Sequence, residues 1–238
     1  MDKRAVSDVV GFVLVFSLIT LVVGTVYLSG MGGLESARQS ERLANAERAF
    51  DVLSENVDDI ADTAAKSRST EIKLANANLG FGDPVTFNVS TDSGEHYSAS
   101  MRPVVFTIGD SHVVFSNGAV IREESDGSAM LSAPSMVSGD RTLIPLLVTR
   151  AQGSGIGGSG RVLVRTAEAT NEVVRFDDPP GSYTVTVEVT TQRTTAWRNH
   201  LERQFDTDCT IAGNTVTCDP FETKRVDMQV VKIDVAIT

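Results

Sequence analysis

From Val9 to Leu28 the chain reads VVGFVLVFSLITLVVGTVYL, twenty residues without a charge. At about 1.5 Å per helical residue this run spans the ~30 Å hydrocarbon layer of a bilayer. It predicts a membrane-spanning helix. Lys3 and Arg4 precede it and Glu35 is among the first charges after it, which sets the N-terminus inside and the following chain outside. The basic pair against the apolar run has three readings: the inner flank of a retained anchor, the start of a discarded secretory signal, or a cutting address ahead of a retained helix. A secretory signal has a shorter apolar core and a small-x-small site, and YLSGMGG matches that weakly.

Beyond the run, the glycines of Gly30–Gly33 are expected to loosen the helix. An amphipathic stalk helix is then predicted over residues 31–68. Leu43, Ala46, Phe50, Leu53, Val57, Ile60 and Ala64 fall three and four apart and form one apolar stripe, with Glu41, Arg42, Glu47, Arg48, Asp51, Glu55, Asp58 and Asp59 on the other faces. From Glu71 the period changes to two. Ten segments read as strands: 71–79, 85–91, 103–109, 112–117, 119–125, 141–150, 161–169, 171–176, 183–191 and 225–237, separated by Gly, Asn, Asp and Pro turns. One short helix is predicted at TTAWRNHLERQF (194–205), with Trp197, Leu201 and Phe205 on one face. The fold class is therefore α+β: a long N-terminal hydrophobic and amphipathic helix, then a mainly antiparallel β domain over residues 71–238, built as a sandwich or a curved sheet.

Acidic residues number 31 against 21 basic ones, for a net charge of -10, and only five of the basic residues are Lys. A surface of that sign repels phosphate backbones, which argues against nucleic-acid binding. Its excess acidity suits a protein kept hydrated in high salt. The cysteines stand in DCTIAGNTVTCD. A two-residue turn at Gly213-Asn214 places Ala212 opposite Thr215, Ile211 opposite Val216, Thr210 opposite Thr217 and Cys209 opposite Cys218. That last pair falls at a non-hydrogen-bonded position, close enough for a disulfide, which implies an oxidising compartment.

Candidate chemistry is sparse. Gly153, Gly155 and Gly158 have dinucleotide-loop spacing, but a strand follows where a helix is needed, so the segment reads as a flexible hairpin loop. His96, His112 and His200 lie in different elements without a second ligand at metal spacing. Asp110-Ser111-His112 and Asp177-Asp178-Pro179-Pro180-Gly181 read as turns, although the two carboxylates of the second could touch a cation. Asn88-Val89-Ser90 is an N-glycosylation sequon, of consequence only outside the cell. The expectation is a protein without catalytic residues, metal or cofactor.

The stretch KRAVSDVVGFVLVF resembles the class III signal of archaeal type IV pilins. In that family a short charged leader ending in a basic pair and Gly or Ala is cut on the cytoplasmic side, ahead of the apolar helix. Haloarchaeal mature ends commonly look like VSPVIG. The resemblance implies processing at Lys3, Arg4, Ala5 and Val6, with the cut after Ala5: a 1–5 leader, a 6–30 transmembrane and assembly helix, and a mature end VSDVVG. Asp8 stands where the family often has Pro. Val10 occupies the position of the glutamate in bacterial pilins. Assembly would run through Asp8, Val9, Val10, Phe12, Leu14, Phe16, Leu18 and Leu21. The implied partners are other pilin subunits, a prepilin peptidase, the pilus assembly machinery and, before assembly, membrane lipid. The implied location is the cell membrane, with the N-terminus cytoplasmic and the β domain outside or on a surface filament. The alternative is a single-pass anchored surface protein whose β domain binds a ligand or envelope component.

Overall fold

The computed structural model describes residues 3–63, 65–176 and 182–238. Its first element, α1 (Lys3–Asp62), is a continuous helix of 60 residues. The loosening expected at Gly30–Gly33 does not occur. A glycine in a helix interior costs only about 1 kcal/mol relative to alanine, and the helix-forming residues on either side outweigh that. The chain divides into two units at Arg42/Leu43. The first holds the N-terminal part of α1. The second holds Leu43–Asp62 together with all the β structure, so the amphipathic stripe belongs to the β domain and not to a separate stalk.

The helix ends at Asp62, six residues before the predicted stalk boundary, and strand pairing starts at Ser67. Three carboxylates in the last turns oppose the helix dipole. Side chains from the sheet offset this: Asn171 and Gln229 both donate to the Ala61 carbonyl (3.1 and 3.2 Å), and Arg68 meets Asp59 at 3.2 Å. These bonds satisfy an end that would otherwise leave carbonyls unpaired. Ala64, the last member of the predicted stripe, and Asp177–Gly181 lie outside the described residues.

Among the described residues the second unit has sixteen strands in three sheets. Sheet A runs β1 (Ser67–Lys73), β11 (Arg161–Phe176), β16 (Arg225–Ile237), β9 (Arg141–Gln152). Sheet B runs β10 (Ile156–Gly158), β2 (Ala77–Phe81), β5 (Val104–Ile108), β6 (Ser111–Ser116), β7 (Ala119–Glu124), β8 (Gly127–Ser132). Sheet C runs β13 (Cys209–Ala212), β14 (Thr215–Cys218), β12 (Tyr183–Thr190), β3 (Val85–Thr91), β4 (His96–Met101), with β15 (Phe221–Thr223) also on β12. Pairing is antiparallel except between β16 and β9, which run parallel from Arg225↔Arg141 to Ala236↔Gln152.

Two hydrophobic cores share β16. Val226, Met228 and Val230 point to one face, and Val231, Ile233, Val235 and Ile237 to the other, as a period of two requires. On the second face lies the α1 stripe, with Leu43, Ala46, Phe50, Leu53 and Val57 clustered against sheet A and against Phe106, Val113 and Phe115 of sheet B. On the first face lie sheet C and α2 (Thr194–Phe205), whose Trp197, Leu201 and Phe205 are buried. Trp197 meets Phe87 edge to face at 4.9 Å. The predicted helix and its aromatic face are thus in place.

Strand boundaries differ from expectation in three places. Residues 71–79 are two strands, because Ala75 and Asn76 adopt left-handed φ between β1 and β2. Residues 161–176 form one strand with a register shift between Glu168 and Thr170. Strands β4, β8 and β15 were not foreseen, since SAS, GSAM and FET lack strong apolar alternation.

Phe50 and Leu53 are fully buried in the α1 stripe, whereas Val52 is 48% exposed. Phe50→Ala or Leu53→Ala is expected to lower the stability of the detergent-solubilised chain by about 3–5 kcal/mol. Val52→Ala should cost less than about 0.5 kcal/mol. Chemical unfolding followed by circular dichroism checks this, and equal losses at all three positions would contradict the packing.

Candidate functional site

The first candidate surface is α1 itself. From Val10 to Ser29 every described side chain is exposed, including Phe12, Leu14, Phe16, Leu18 and Leu21 at 62–72%. This is one helix long and apolar enough to cross a membrane, with a mean hydropathy of 2.4 in its most apolar window. Two of its hydroxyls are suited to an environment without water: Thr20 donates to the Phe16 carbonyl (2.9 Å) and Thr25 to the Leu21 carbonyl (2.8 Å). Bonding one turn back leaves no donor from these residues facing outward. A helix apolar on all faces must be covered by lipid or by protein. The backbone of Lys3, Arg4, Ala5, Val6, Asp8 and Val9 continues this helix, and their side chains lie outside the described residues.

In the second unit, Cys209 and Cys218 face each other across β13 and β14 in the register Cys209↔Cys218, Thr210↔Thr217, Ile211↔Val216 and Ala212↔Thr215. They form a disulfide with Cα atoms 3.9 Å apart. Both are buried, which shields the bond from reductants. Asn88 sits mid-strand on β3 between β12 and β4, and its amide donates to Glu188 at 2.9 Å. His96 is exposed on β4. His200 is buried on α2, where burial, and then Arg203, push its pKa down. Among the described residues no group of His, Cys, Asp and Glu is placed to hold a metal.

Two electrostatic features were not legible in the sequence. Asp227, 1% exposed, accepts from Arg141 (2.6 Å), Arg175 (2.9 Å) and Arg225 (3.0 Å). The parallel register sets Arg225 directly beside Arg141, and a lone carboxylate between them makes that placement tolerable. Burial opposes ionisation of Asp227, but the three guanidinium hydrogen bonds prevail and hold its pKa at about 2. Asp58, which lines a small cavity with Pro134 and Pro145, is raised to about 6 by desolvation and by Asp62, Asp59 and Glu55.

The second candidate surface is a cleft of about 560 Å³ on sheet B. In register Gly157 faces Asn78, Asn78 faces Thr107, Thr107 faces His112, His112 faces Glu123, and Glu123 faces Ser128. One row of polar side chains therefore crosses five strands and ends at Gly157 on the sixth, on the face opposite Phe106 and Val113. His112 Nδ1 and the Thr107 hydroxyl share a hydrogen bond of 3.0 Å. Glu123 clamps Arg193, at the start of α2, through Nε (2.8 Å) and Nη2 (2.7 Å). Arg102, Asp83 and Gln192 complete the rim.

The Gly-rich segment is not the flexible loop expected. Ile156–Gly158 is the edge strand of this cleft, and a Cβ at Gly155 would lie 2.6 Å from the Leu79 carbonyl oxygen. A Cβ at Gly157 would lie 2.2 Å from Asn78 Oδ1. Glycine is there for close approach to β2. No local motif marks the polar row, because its members meet only once five strand pairings are known.

The family model described as a family of unknown function, DUF7289, matches residues 4–236, and the chain belongs to that family. No curated protein and no solved structure matches the chain.

Stability should respond to pH with opposite signs at the two aspartates. Asp227 has a folded pKa of about 2, below the ordinary ~3.9. Its stabilisation is present above about pH 4 and is lost as pH falls towards about 2. Asp58 has a folded pKa of about 6, above its unfolded value. It destabilises the fold above about pH 6, and the penalty is relieved as pH falls towards about 4, blunted by its exposure to water. Asp227→Asn is expected to cost roughly 2 kcal/mol at neutral pH. Asp58→Asn should raise stability there and flatten the profile between those two limits. Urea midpoints across pH check both; parallel wild-type and variant curves would contradict them.

Proposed function

We propose that the chain is a pilin-like subunit, of the minor or specialised kind, processed by a prepilin peptidase after Ala5 and assembled through its N-terminal helix into a type IV pilus-like surface structure. The observation that carries this reading is the helix that is apolar on every face from Val10 to Leu28 and exposed throughout. In the membrane lipid covers that surface. Drawn out into water, it is covered by other copies, and at ~25 cal/mol per Å² a helix of this size contributes on the order of tens of kcal/mol of gross association.

The signal-like stretch KRAVSDVVG supports cutting ahead of the helix. The buried disulfide fits a β domain held in an oxidising compartment, outside the membrane. The charge of -10 fits a hydrated outer surface in high salt and disfavours nucleic acid as a partner. The role is structural, not catalytic. A second reading, an uncleaved single-pass anchor presenting a ligand-binding or envelope-binding β domain, is favoured by the polar cleft on sheet B.

Intact-mass measurement of membrane-extracted protein separates the two. Under the first reading the mature chain begins at Val6, and Arg4→Ala or Ala5→Asp leaves the leader attached. A chain that keeps its first five residues in the wild type, or a mature mass unchanged by both substitutions, would contradict processing.

A further inference from the structure

We infer that the cleft on sheet B binds an uncharged carbohydrate. This site stands apart from the N-terminal helix and does not depend on the pilin-like reading. Its volume, about 560 Å³, lies within the ~300–1,000 Å³ of small-ligand pockets. Formal charge around it sums to zero: Arg193 is ion-paired with Glu123, and Arg102 and Asp83 at the rim contribute one charge of each sign. In a chain of net charge -10, a cleft without surplus positive charge has nothing to draw in a phosphate or a uronate. Of its two carboxylates Glu123 is already paired with Arg193, which leaves the single carboxylate of Asp83, too few for a metal site.

What the cleft does hold is a density of uncharged and charge-balanced hydrogen-bonding groups. Asn78 and Gln192 each offer an amide with donor and acceptor side by side. Asp83 and Arg102 have side chains without a hydrogen-bond or ion-pair partner among the described residues, and they offer two-point acceptor and donor geometry. Such planar groups match adjacent hydroxyls on a ring. His112 is oriented by Thr107, and Arg193 is fixed by Glu123, so these two walls are set before any ligand arrives. Phe81 also lines the cleft, half-buried and packed against the core cluster of sheet B. Side chains at Gly155 and Gly157 would collide with β2, so glycine lets this edge lie close beside it.

The test is saturation-transfer NMR on the full chain in nanodiscs, avoiding glycosidic detergents. The probes are the methyl glycosides of glucose, galactose, mannose and N-acetylglucosamine, with glucuronate and inorganic phosphate as charged competitors. At least one neutral glycoside should receive saturation. Asn78→Ala and Gln192→Ala, tested separately, should each weaken binding about tenfold. Gln192 is exposed on a loop, so its variant keeps the fold even if the strand substitution does not, and circular dichroism verifies each. Absence of transfer to all four glycosides, transfer undiminished in the Gln192 variant, or preferred binding of glucuronate or phosphate would overturn the assignment.

Discussion

One apolar stripe governs the second unit. Leu43, Ala46, Phe50, Leu53 and Val57 supply the helix side of a core whose other walls come from sheets A and B. Those sheets meet through backbone bonds at the β1–β2 corner (Leu74 N to Gly160 O and Asn76 N to Gly158 O), and both pack on this helix in one core. Ser54 adds a polar tie, donating to the Gly118 carbonyl at 3.1 Å. Gly118 itself sits in a tight β6–β7 turn with Asn117, both at positive φ, and Asn117 Oδ1 accepts from the Leu147 amide. Helix, sheet B and β9 are thus pinned around one turn.

The same helix, nearer its start, has no polar face. Two demands are therefore written into one continuous element: period-3.6 amphipathicity where a domain must be packed, and uniform apolarity where lipid or neighbouring copies must be met. That combination is the physical basis of the proposed function. A β domain alone would need no such helix, and a plain anchor would need no continuation of it into the domain core.

Much of this was legible beforehand because it is local. The apolar run, the stripe, the α2 helix with its Trp197–Leu201–Phe205 face, and the Cys209–Cys218 register each depend on spacing within a few turns or one hairpin. What escaped depends on pairing between distant segments. The parallel β9–β16 contact, which creates the Asp227 cluster, joins residues more than eighty positions apart. The polar row of the cleft needs β2, β5, β6, β7, β8 and β10 all in register. Glycines at 153–158 looked like flexibility, whereas two of them serve close approach to β2, a constraint visible only when the neighbour is in place.

The central claim is that the apolar half of α1 is covered by other subunits after processing. Shearing filaments from the cell surface, and mass spectrometry of the sheared and membrane fractions, tests it most directly. The account predicts β-domain peptides of this chain in the filament fraction, accompanied by an N-terminal peptide that starts at Val6. Recovery of the chain in the membrane fraction alone, with residues 1–5 still attached, would contradict it.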